Sequence, residues 1–439
     1  MGSFISSTGE EQLEMLHSLG YESFAELFGH VPEQVKLKKE LNLPKGLSEL
    51  ETAEKIGGMA AKNTVFSHIF RGAGAYDHYI PAAVKAITAK EEFVTAYTPY
   101  QAEISQGILQ SIFEYQTMIC ELTGMEVSNA SVYDGASAAA EAAAMCRERK
   151  RSTVLISATT NPEVIRTVQT YCYGSGAEVK LIPEKNGVTD KEALLAALDE
   201  KTACFYVQEP NYYGILEDYE ALGKTVHAAG AKYICGCNPI ALGILKTPGE
   251  YGADIAVGEG QPLGLPLGFG GPYLGFMAAT AGMMRRLPGR IVGETTDAKG
   301  ERAFVLTLQA REQHIRREKA GSNICSNEAL CALTASVYLS VMGPEGLKRA
   351  AVQCSAHAHD LLGELEKAGL TSKYNQPFFH EFVTETPVEA QKILDALEKE
   401  GILGGLPLGE YEILWCATEK NTKKEMDKLA GIVKEVCGR

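Results

Sequence analysis

A glutamine, Gln261, lies between an apolar run and a glycine-rich turn, a place where a polar side chain can take part in chemistry. The segment from Gly252 to Pro272 reads GADIAVGEGQPLGLPLGFGGP and predicts a short buried strand, a polar tip and a tight turn. A side-chain amide forms hydrogen bonds but is not a nucleophile, and the chain has no lysine between Lys246 and Lys299. The tip therefore lacks an amine that could form an imine with a carbonyl group.

A second polar string runs from Tyr97 to Gly107 and reads YTPYQAEISQG. It combines two phenols, two amides and a carboxylate, and Pro99 stiffens it. Such a cluster could bind a small polar substrate, or it could merely pack and form hydrogen bonds at an interface. We interpret its polar members as a candidate wall of an active site: Tyr97, Tyr100, Gln101, Glu103, Ser105 and Gln106.

Basic residues cluster between Arg311 and Ala320, in the string REQHIRREKA. At helical spacing His314 lies one turn from Arg311 and from Arg317, so the string is expected to form one charged face. A solvated face is the usual explanation, but an arginine can also bind a carboxylate through two parallel hydrogen bonds. We therefore add Arg311, His314 and Arg316 to the candidate wall, with both explanations open.

A candidate anion site lies where the string YDGASAAAE, from Tyr133 to Glu141, enters an alanine-rich helix. Free backbone N–H groups and the positive end of the helix dipole favour a phosphate at Gly135, Ala136 and Ser137. The same pattern also fits a tightly packed helix with a small N-cap. The string alone does not decide between these two interpretations.

The eleven cysteines are scattered through apolar runs and predict reduced thiols rather than a disulfide framework. Cys235 and Cys237 are the nearest approach to a metal motif, but no second pair follows at zinc spacing. We therefore predict two buried strand residues here, and no metal site. No secretory signal is recognised, and together with the reduced thiols this favours a cytoplasmic location.

The charge of the chain limits its partners. The net charge is -14, from 42 lysines and arginines against 56 aspartates and glutamates, and it opposes binding to nucleic acid or to anionic lipid. No apolar stretch reaches the roughly 20 residues that a membrane-spanning helix needs. We therefore expect a soluble protein with no nucleic-acid or membrane partner, which acts on small molecules or on other proteins.

Apolar runs alternate with helical patterns between about Ala53 and Ala320. We predict strands at 153–157, 178–182, 203–207, 233–235 and 255–257, with helices at 190–198 and 219–229. This alternation indicates βαβ crossovers and a mostly parallel sheet, whose ligands bind beyond the carboxyl ends of the strands. The loops that carry Gly135, Asn161, Asn238 and Gln261 are expected to gather there.

The chain is expected to form three regions. An N-terminal helical arm occupies residues 1–52 and a large α/β domain occupies residues 53–325. A smaller α+β C-terminal domain occupies residues 326–439 and begins with a linking helix at about 327–341.

Four stretches, read together, resemble the P-protein of the glycine cleavage system, a pyridoxal-phosphate-dependent glycine decarboxylase. They are residues 97–107, 252–272 and 311–320 and the string SNIC at 322–325. The resemblance extends from about Glu10 to the C-terminus and matches the amino-terminal half of the long P-proteins, which in many bacteria is a separate alpha-type chain, subunit 1. It implies the pyridoxal-phosphate-dependent transferase fold of the aspartate-aminotransferase type.

The resemblance also implies where this chain has lost cofactor contacts. Alignment with the lysine-bearing half of the family places Gln261 at the Schiff-base lysine. Asn238 stands where an aspartate pairs with the pyridine nitrogen, and an amide cannot hold that nitrogen charged. Thr159 or Thr160 stands where a histidine stacks on the ring. These vestigial positions imply that this chain holds no covalent cofactor and that pyridoxal phosphate is bound in a partner subunit.

By this resemblance, the chain is the non-lysine subunit of a glycine dehydrogenase (decarboxylating), paired with a lysine-bearing subunit 2 in a heterodimer or heterotetramer. The complex would decarboxylate glycine and transfer the aminomethyl group to the lipoyl group of the H-protein. This chain would support the interface and one wall of the partner's active site, and would be inactive alone.

Two alternatives stay open at this point. The chain could be an independent pyridoxal-phosphate enzyme that uses a displaced lysine such as Lys246, or a non-catalytic binding or regulatory protein.

Overall fold

The fold is that of a computed structural model, which describes residues 6–39, 41–94 and 98–438. Tyr97, a member of the candidate wall, lies outside the described residues. The chain divides into two compact units, Met1–Val65 and Phe66–Arg439. The first unit contains helices α1 (Gly9–Ser18), α2 (Phe24–Leu27) and α3 (Glu49–Ala60).

Side chains of the first unit cap its two longer helices. Thr8 precedes α1 and Ser48 precedes α3, and each forms a capping box with the glutamate three residues later. The predicted helical arm ends at residue 52, in the middle of α3, whereas the first unit continues to Val65.

The second unit alternates helices and strands. Its helices are α4 (Ala82–Thr88), α5 (Glu91–Val94), α6 (Gln106–Thr123), α7 (Gly135–Cys146), α8 (Pro162–Ser175), α9 (Lys191–Ala197), α10 (Tyr219–Ala228), α11 (Gln313–Arg316), α12 (Ala329–Ala368), α13 (Ala390–Lys399) and α14 (Lys423–Val436). Short 3-10 helices lie at Ala241–Gly243, Ala281–Arg286, Gln309–Arg311 and Arg317–Lys319.

The strands follow the same alternation through most of the unit. They are β1 (His68–Ile69), β2 (Val127–Ser128), β3 (Thr153–Ser157), β4 (Val179–Ile182), β5 (Glu184–Lys185), β6 (Val188–Thr189), β7 (Thr202–Glu209), β8 (Lys232–Cys237), β9 (Ile255–Glu259), β10 (Gly275–Ala279), β11 (Ile291–Thr296), β12 (Arg302–Thr307), β13 (Thr371–Ser372), β14 (Glu381–Glu385), β15 (Ile402–Leu403), β16 (Leu406–Gly409) and β17 (Glu412–Cys416).

A seven-stranded sheet forms the centre of the second unit. Its strand order is β2-β10-β9-β8-β7-β3-β4, and the five strands from β9 to β4 are parallel. Leu155 and Phe205 pack into one core cluster, whereas their strand neighbours Ile156 and Tyr206 pack into another. The sheet is thus buried on both faces, as expected for crossovers through helices. The predicted mostly parallel sheet is confirmed, and each predicted strand of this region is present.

A second layer forms from the C-terminal part of the chain. The antiparallel sheet β13-β14-β17-β16 packs with α13, α14 and the end of α12 around the buried Trp415. This agrees with the predicted α+β character of the region. Strand β1 pairs in parallel with β15, so residues near His68 join this C-terminal layer although they lie far from it in the sequence.

Helix α12 is much longer than the predicted linking helix, which ends at residue 341. Gly343 has φ 60° and ψ 177° and is followed by Pro344, so two helices meet at a kink. By length and composition α12 could cross a membrane, which the sequence expectation overlooked. However, its residues Ala335 and Tyr338 are fully buried in the main core, and the core helix of a soluble protein passes the same test.

Candidate functional site

A cavity of about 370 Å³ lies at the carboxyl ends of the parallel strands, and we call it the strand-end cleft. Gly135, Asn161 and Asn238 line it, as the strand order predicted. The loop from Gly72 to Tyr76 closes one side. Among the described residues that line this cleft there is no lysine, arginine or histidine.

Gln261 lies beside the cleft and is only 1% exposed. The backbone N–H of Tyr76 donates to its Oε1 at 2.9 Å, and its Nε2 donates to the carbonyl of Tyr76 at 3.0 Å. Nε2 also donates to the carbonyl of Leu265 at 2.8 Å. The side-chain amide is therefore fully used in holding backbone together.

Lys246, the displaced lysine of one alternative, does not reach the strand-end cleft. Its Nζ is bonded to Glu220 Oε2 at 3.1 Å, and the side chain is 62% exposed. The nearest lysine in the sequence thus offers no route to a Schiff base in this cleft.

The candidate anion site is occupied by a carboxylate of the chain itself. The N–H of Gly135, the first residue of α7, donates to Glu259 Oε2 at 2.9 Å, and Asp134 caps the same helix by accepting from the N–H of Ser137 at 2.8 Å. Glu259 Oε1 accepts from the N–H groups of Gln261 and Leu274 at 2.9 and 3.0 Å. Burial raises the pKa of Glu259 to about 7, although the three N–H donors act in the opposite direction.

This arrangement corrects the expected phosphate cup in two respects. Gly135 and Ala136 line the cleft, but Ser137 does not, and its N–H and hydroxyl are both bonded to Asp134. A phosphate at this helix terminus would have to displace Glu259 and then lie beside a second carboxylate, which like-charge repulsion opposes.

The other vestigial positions have structural contacts as well. Asn238 Oδ1 accepts from the N–H groups of Ile240 and Ala241 at 2.9 and 3.3 Å, so its carbonyl caps the following turn. The hydroxyl of Thr159 donates to Glu217 Oε1 at 2.8 Å. Thr159 and Thr160 are both buried outside the cleft lining, where Asn161 is present instead, because the chain turns between them. The placement of a cofactor-facing residue at 159 or 160 is therefore wrong.

Glu381 fixes the loop that closes the cleft. It accepts from the N–H of Ala73 at 2.6 Å and from the hydroxyl of Tyr76 at 2.8 Å. Burial raises the pKa of Glu381 to about 7, even though both hydrogen bonds favour the carboxylate. The loop is thus fastened by Glu381 on one side and by Gln261 on the other.

The polar string after Tyr97 does not reach the strand-end cleft. Gln106 begins α6 and is bonded to both backbone groups of Phe304: its Nε2 donates to the carbonyl at 2.9 Å, and its Oε1 accepts from the N–H at 2.8 Å. Ser105 is half-buried at the N-cap of α6, and Gln101 and Glu103 are exposed. Of the described members of the string, Tyr100 has a charged partner, since its hydroxyl accepts from Arg290 Nη2 at 2.5 Å.

The string from Arg311 to Ala320 is not the continuous helical face that its spacing predicted. Helix α11 is only four residues long, and it ends because Arg317 has φ 54°, outside the helical region. Arg316 Nε donates to the carbonyl of Ala310 at 3.2 Å, and His314 is exposed with its Nδ1 3.6 Å from Glu312 Oε2. The basic residues therefore point in several directions.

The two halves of the candidate wall meet at a residue that the sequence did not single out. Arg290 is 3% exposed and its guanidinium lies 4.4 Å from the ring centroid of Tyr100. Burial raises the pKa of Glu312, and the charges of His314, Arg290 and Arg311 oppose this effect. We refer to Tyr100, Arg290, Arg311, Glu312 and His314 as the Arg290 cluster.

Several buried atoms of the Arg290 cluster have no hydrogen-bond partner among the residues that the structure describes. They are Arg290 Nε, Arg311 Nε and Nη2, and Glu312 Oε1. Burial lowers the pKa of Arg311, because its charge is removed from water. Buried polar atoms without hydrogen-bond partners are uncommon in proteins, and a ligand, a water or a partner chain can satisfy them.

A trio of potential metal ligands was not apparent from the sequence. One ligand atom each from His78, Cys354 and Glu419 lies within 4.8 Å of the others. His78 Nδ1 is 2.7 Å from Glu419 Oε2, and the thiol of Cys354 donates to the same oxygen at 3.1 Å. Although burial acts against the charged form, the hydrogen bonds and the charge of His78 lower the pKa of Glu419 to about 2. Hydrogen bonding accounts for the trio without an ion.

Sequence reasoning missed three residues that shape these sites. Glu259 lies at the end of a predicted strand, two residues before Gln261, so its position was a usable signal. The sequence carried no such signal for Arg290 or Tyr206. Arg290 matters because it contacts Tyr100, 190 residues away, and Tyr206 matters because it lines the strand-end cleft.

Comparisons with known proteins agree with the resemblance. The family described as "Glycine cleavage system P-protein" matches residues 2–433. A protein of Syntrophomonas wolfei named "Probable glycine dehydrogenase (decarboxylating) subunit 1" is 51% identical over 427 residues, which are 97% of each chain. A protein of the same name from Carboxydothermus hydrogenoformans is 51% identical over 435 residues, which cover 97% of this chain and 98% of that one.

Solved structures give the same result. A crystal structure of glycine decarboxylase (P-protein) of the glycine cleavage system, in inhibitor-bound form, superposes with a TM-score of 0.93 and 43% identity, over 99% of this chain and all of the other. Aspartate aminotransferase from Thermus thermophilus superposes with a TM-score of 0.59 at 16% identity, over 85% of this chain and 99% of the other, which shows the shared fold alone. The expected transferase fold is confirmed. The chain therefore belongs to the glycine cleavage system P-protein family and is a subunit of glycine dehydrogenase (decarboxylating).

Proposed function

We propose that this subunit holds no covalent pyridoxal phosphate and contributes one wall of the active site of a lysine-bearing partner subunit. The names of its relatives, "subunit 1", support the existence of a second subunit. Beside the strand-end cleft, Gln261 stands at the expected Schiff-base position with its amide bonded to backbone, and Glu259 occupies the expected anion cup. These residues do not fit pyridoxal phosphate, so the cofactor belongs to the partner.

The observation that supports the wall is the unsatisfied state of the Arg290 cluster. Arg311 has two buried nitrogens without a partner within the described part of the chain, and Arg290 has one. Arg311 donates to the carbonyl of Leu287 and Arg290 donates to the hydroxyl of Tyr100, but their other buried N–H groups lack acceptors among the described residues. Each such group costs about 1–3 kcal/mol unless another molecule supplies an acceptor. A carboxylate is the acceptor that arginine binds best.

A substrate carboxylate should bind at the Arg290 cluster rather than in the strand-end cleft, because the two sites differ in charge. Asp134, Glu163 and Glu259 line the cleft, whereas the cavity that Arg311 lines has five arginines and Lys319 against Glu141 and Glu312. A carboxylate such as that of glycine is repelled by the cleft and attracted by the cluster. We therefore place the glycine carboxylate, or a carboxylate of the partner chain, at Arg311.

We propose the remaining partners from the name of the family, the glycine cleavage system P-protein. In the proposed assembly this chain and its lysine-bearing partner form a cytoplasmic heterotetramer with two copies of each. The complex decarboxylates glycine and passes the aminomethyl group to the lipoyl group of the H-protein. The basic rim formed by Arg316 and Lys319, in a chain of net charge -14, is a surface where an acidic partner would dock.

The experiment is co-expression with the lysine-bearing subunit, followed by measurement of glycine-dependent carbon dioxide release. Activity is expected only in the mixture. Arg311→Lys and Tyr100→Phe should each leave the complex assembled and raise KM for glycine, Arg311→Lys by about tenfold, because the bidentate contact is lost.

Arg349→Gln is the matched control, since this arginine is exposed on α12, outside the Arg290 cluster. If the Arg311 and Tyr100 variants match wild type in both KM and kcat, the proposed wall is wrong. Undiminished activity of the partner alone would instead remove the need for this subunit in catalysis.

A further inference from the structure

The strand-end cleft has a charge opposite to that of a phosphate site. Three carboxylates, Asp134, Glu163 and Glu259, line its cavity of about 370 Å³, and none of the described lining residues is basic. Glu163 is paired with Arg166 outside the lining, so Asp134 and Glu259 are the two lining carboxylates without a basic partner in the described part of the chain. Glu259 bridges the N-terminus of α7 and the turn after β9. A cavity of this size can hold a small organic molecule.

Glu259 acts as an internal substitute for a bound anion. It satisfies the Gly135 N–H, and a Cβ at Gly135 would lie 2.8 Å from the backbone nitrogen of Glu259, so the helix and the strand end are in direct contact. The positive end of the helix dipole is thus neutralised within the chain. An incoming anion would meet two carboxylates at this helix terminus, Glu259 and Asp134, whose combined charge when ionised exceeds the partial positive charge of one helix dipole and so favours a cation.

An unpartnered phenol lies in the same cavity. Tyr206 is 3% exposed, lines the cleft, and its hydroxyl forms no hydrogen bond with any described residue. The hydroxyl lies over Gly236 of the neighbouring strand, where an added Cβ would be only 2.0 Å from it, so the absence of a side chain at Gly236 makes room for the phenol. The hydroxyl faces the cavity, so a molecule bound there can supply the contact that the described chain does not.

We infer that the strand-end cleft binds a small organic ammonium ion, with Glu259 and Asp134 supplying the negative charge and the Tyr206 hydroxyl accepting a hydrogen bond from the ammonium N–H. This site is separate from the Arg290 cluster and does not depend on the proposed wall. The expected ligand thus carries a charge opposite to that of a cofactor phosphate.

The test uses trimethylammonium as the probe, because a tertiary ammonium ion has an N–H but cannot form an imine with the partner's cofactor. Ligand-observed NMR is recorded on the full chain and on its complex with the lysine-bearing subunit. Isobutyrate, a branched carboxylate of similar size, and inorganic phosphate serve as anionic probes. Binding is expected for trimethylammonium in both samples and for neither anion at the strand-end cleft.

Two variants locate the site. Tyr206→Phe removes a hydroxyl that has no bond within the described chain, so folding is retained, and it should weaken trimethylammonium binding by about tenfold. Glu259→Gln should weaken binding similarly, because it removes the charge and keeps the volume of the side chain. Tyr173→Phe, at a tyrosine that is 89% exposed, is the control and should bind like wild type.

The inference is overturned if trimethylammonium fails to bind, if isobutyrate binds at the cleft as well as the cation does, or if Tyr206→Phe leaves cation affinity unchanged. Should Glu259→Gln unfold the chain, Tyr206→Phe still decides the outcome. Glycine-dependent activity of the complex is not a readout of this test, so a failure here is distinguishable from a failure of the proposed function.

Discussion

Gln261 and Tyr76 are joined by a reciprocal pair of hydrogen bonds, although they lie 185 residues apart in the sequence. Tyr76 donates its N–H to Gln261 Oε1 at 2.9 Å, and Gln261 Nε2 donates to the carbonyl of Tyr76 at 3.0 Å. The side chain thereby imitates the pairing of a neighbouring strand. At the position that we expect to align with the lysine of the family's catalytic half, this subunit has a residue that fastens the loop over the cleft.

Replacement of Gln261 by lysine is expected to destabilise the chain without creating a cofactor site. Lysine has no acceptor for the Tyr76 N–H and would bury an ammonium group, so the free energy of unfolding should fall by about 2–4 kcal/mol. Urea unfolding measures this loss. Incubation with excess pyridoxal phosphate should give no visible absorption band that survives dialysis.

Gln261→Met is the control for this prediction, since it retains much of the volume but neither bonds Tyr76 nor adds charge. It should lose less stability than Gln261→Lys. A stable visible band in the lysine variant would mean that the cleft still accommodates the cofactor.

Glu381 is expected to make stability depend on pH. Burial raises its pKa from 4.5 to about 7, so the folded state holds the proton more tightly than the unfolded state. The contribution of Glu381 to the free energy of unfolding is therefore complete below about pH 4.5 and is lost as pH rises through about 7. Glu381→Gln should reduce the decline of the free energy of unfolding between about pH 5 and pH 8.

Urea unfolding of both proteins across this pH range measures that difference. Some decline should persist in Glu381→Gln, because burial also raises the pKa of Glu141 and of Glu259 to about 7. An identical slope in wild type and Glu381→Gln would contradict the assignment.

Gly214→Ala is expected to destabilise the fold strongly, because the added Cβ would collide with Glu381 in addition to straining the backbone angle. Gly214 has φ 80°, and a Cβ there would lie 1.9 Å from the carbonyl oxygen of Glu381. Gly252 has a similar φ of 85° but open space around it. Gly252→Ala should lower the free energy of unfolding by about 1 kcal/mol. Gly214→Ala should lower it by more than about 3 kcal/mol or prevent folding. Thermal unfolding compares them, and equal losses would rule out the close contact with Glu381.

Gln106 is expected to contribute to the stability of the fold and not to the binding of substrate. It is bonded to both backbone groups of Phe304, so Gln106→Ala should lower the free energy of unfolding by about 1–3 kcal/mol. KM for glycine in the assembled complex should stay at the wild-type value. Gln101→Ala, at an exposed neighbour, should change neither quantity. A raised KM with unchanged stability of Gln106→Ala would return this residue to the candidate wall.

Local patterns predicted the strands well, because β3, β7, β8 and β9 are short apolar runs separated by helices of sufficient length. They failed for the string after Arg311, where helical spacing of charges suggested one face but Arg317 takes a positive φ. They also failed at Thr159 and Thr160, since a shift of one or two residues after a strand decides whether a side chain lines the cleft or is buried behind it.

The sequence by itself predicted the mostly parallel sheet, because strand and helix patterns depend on residue types at short spacing, and its motifs resembled the family to which the chain belongs. The absence of a lysine between Lys246 and Lys299 is likewise a property of the sequence alone. Only the tertiary structure decided what the altered residues do. Glu259 in the anion cup, Tyr206 on the cleft floor and Arg290 beside Tyr100 each act through partners distant in sequence. Hydrogen bonds and burial are properties of position in space, and the fold alone brings those partners within reach.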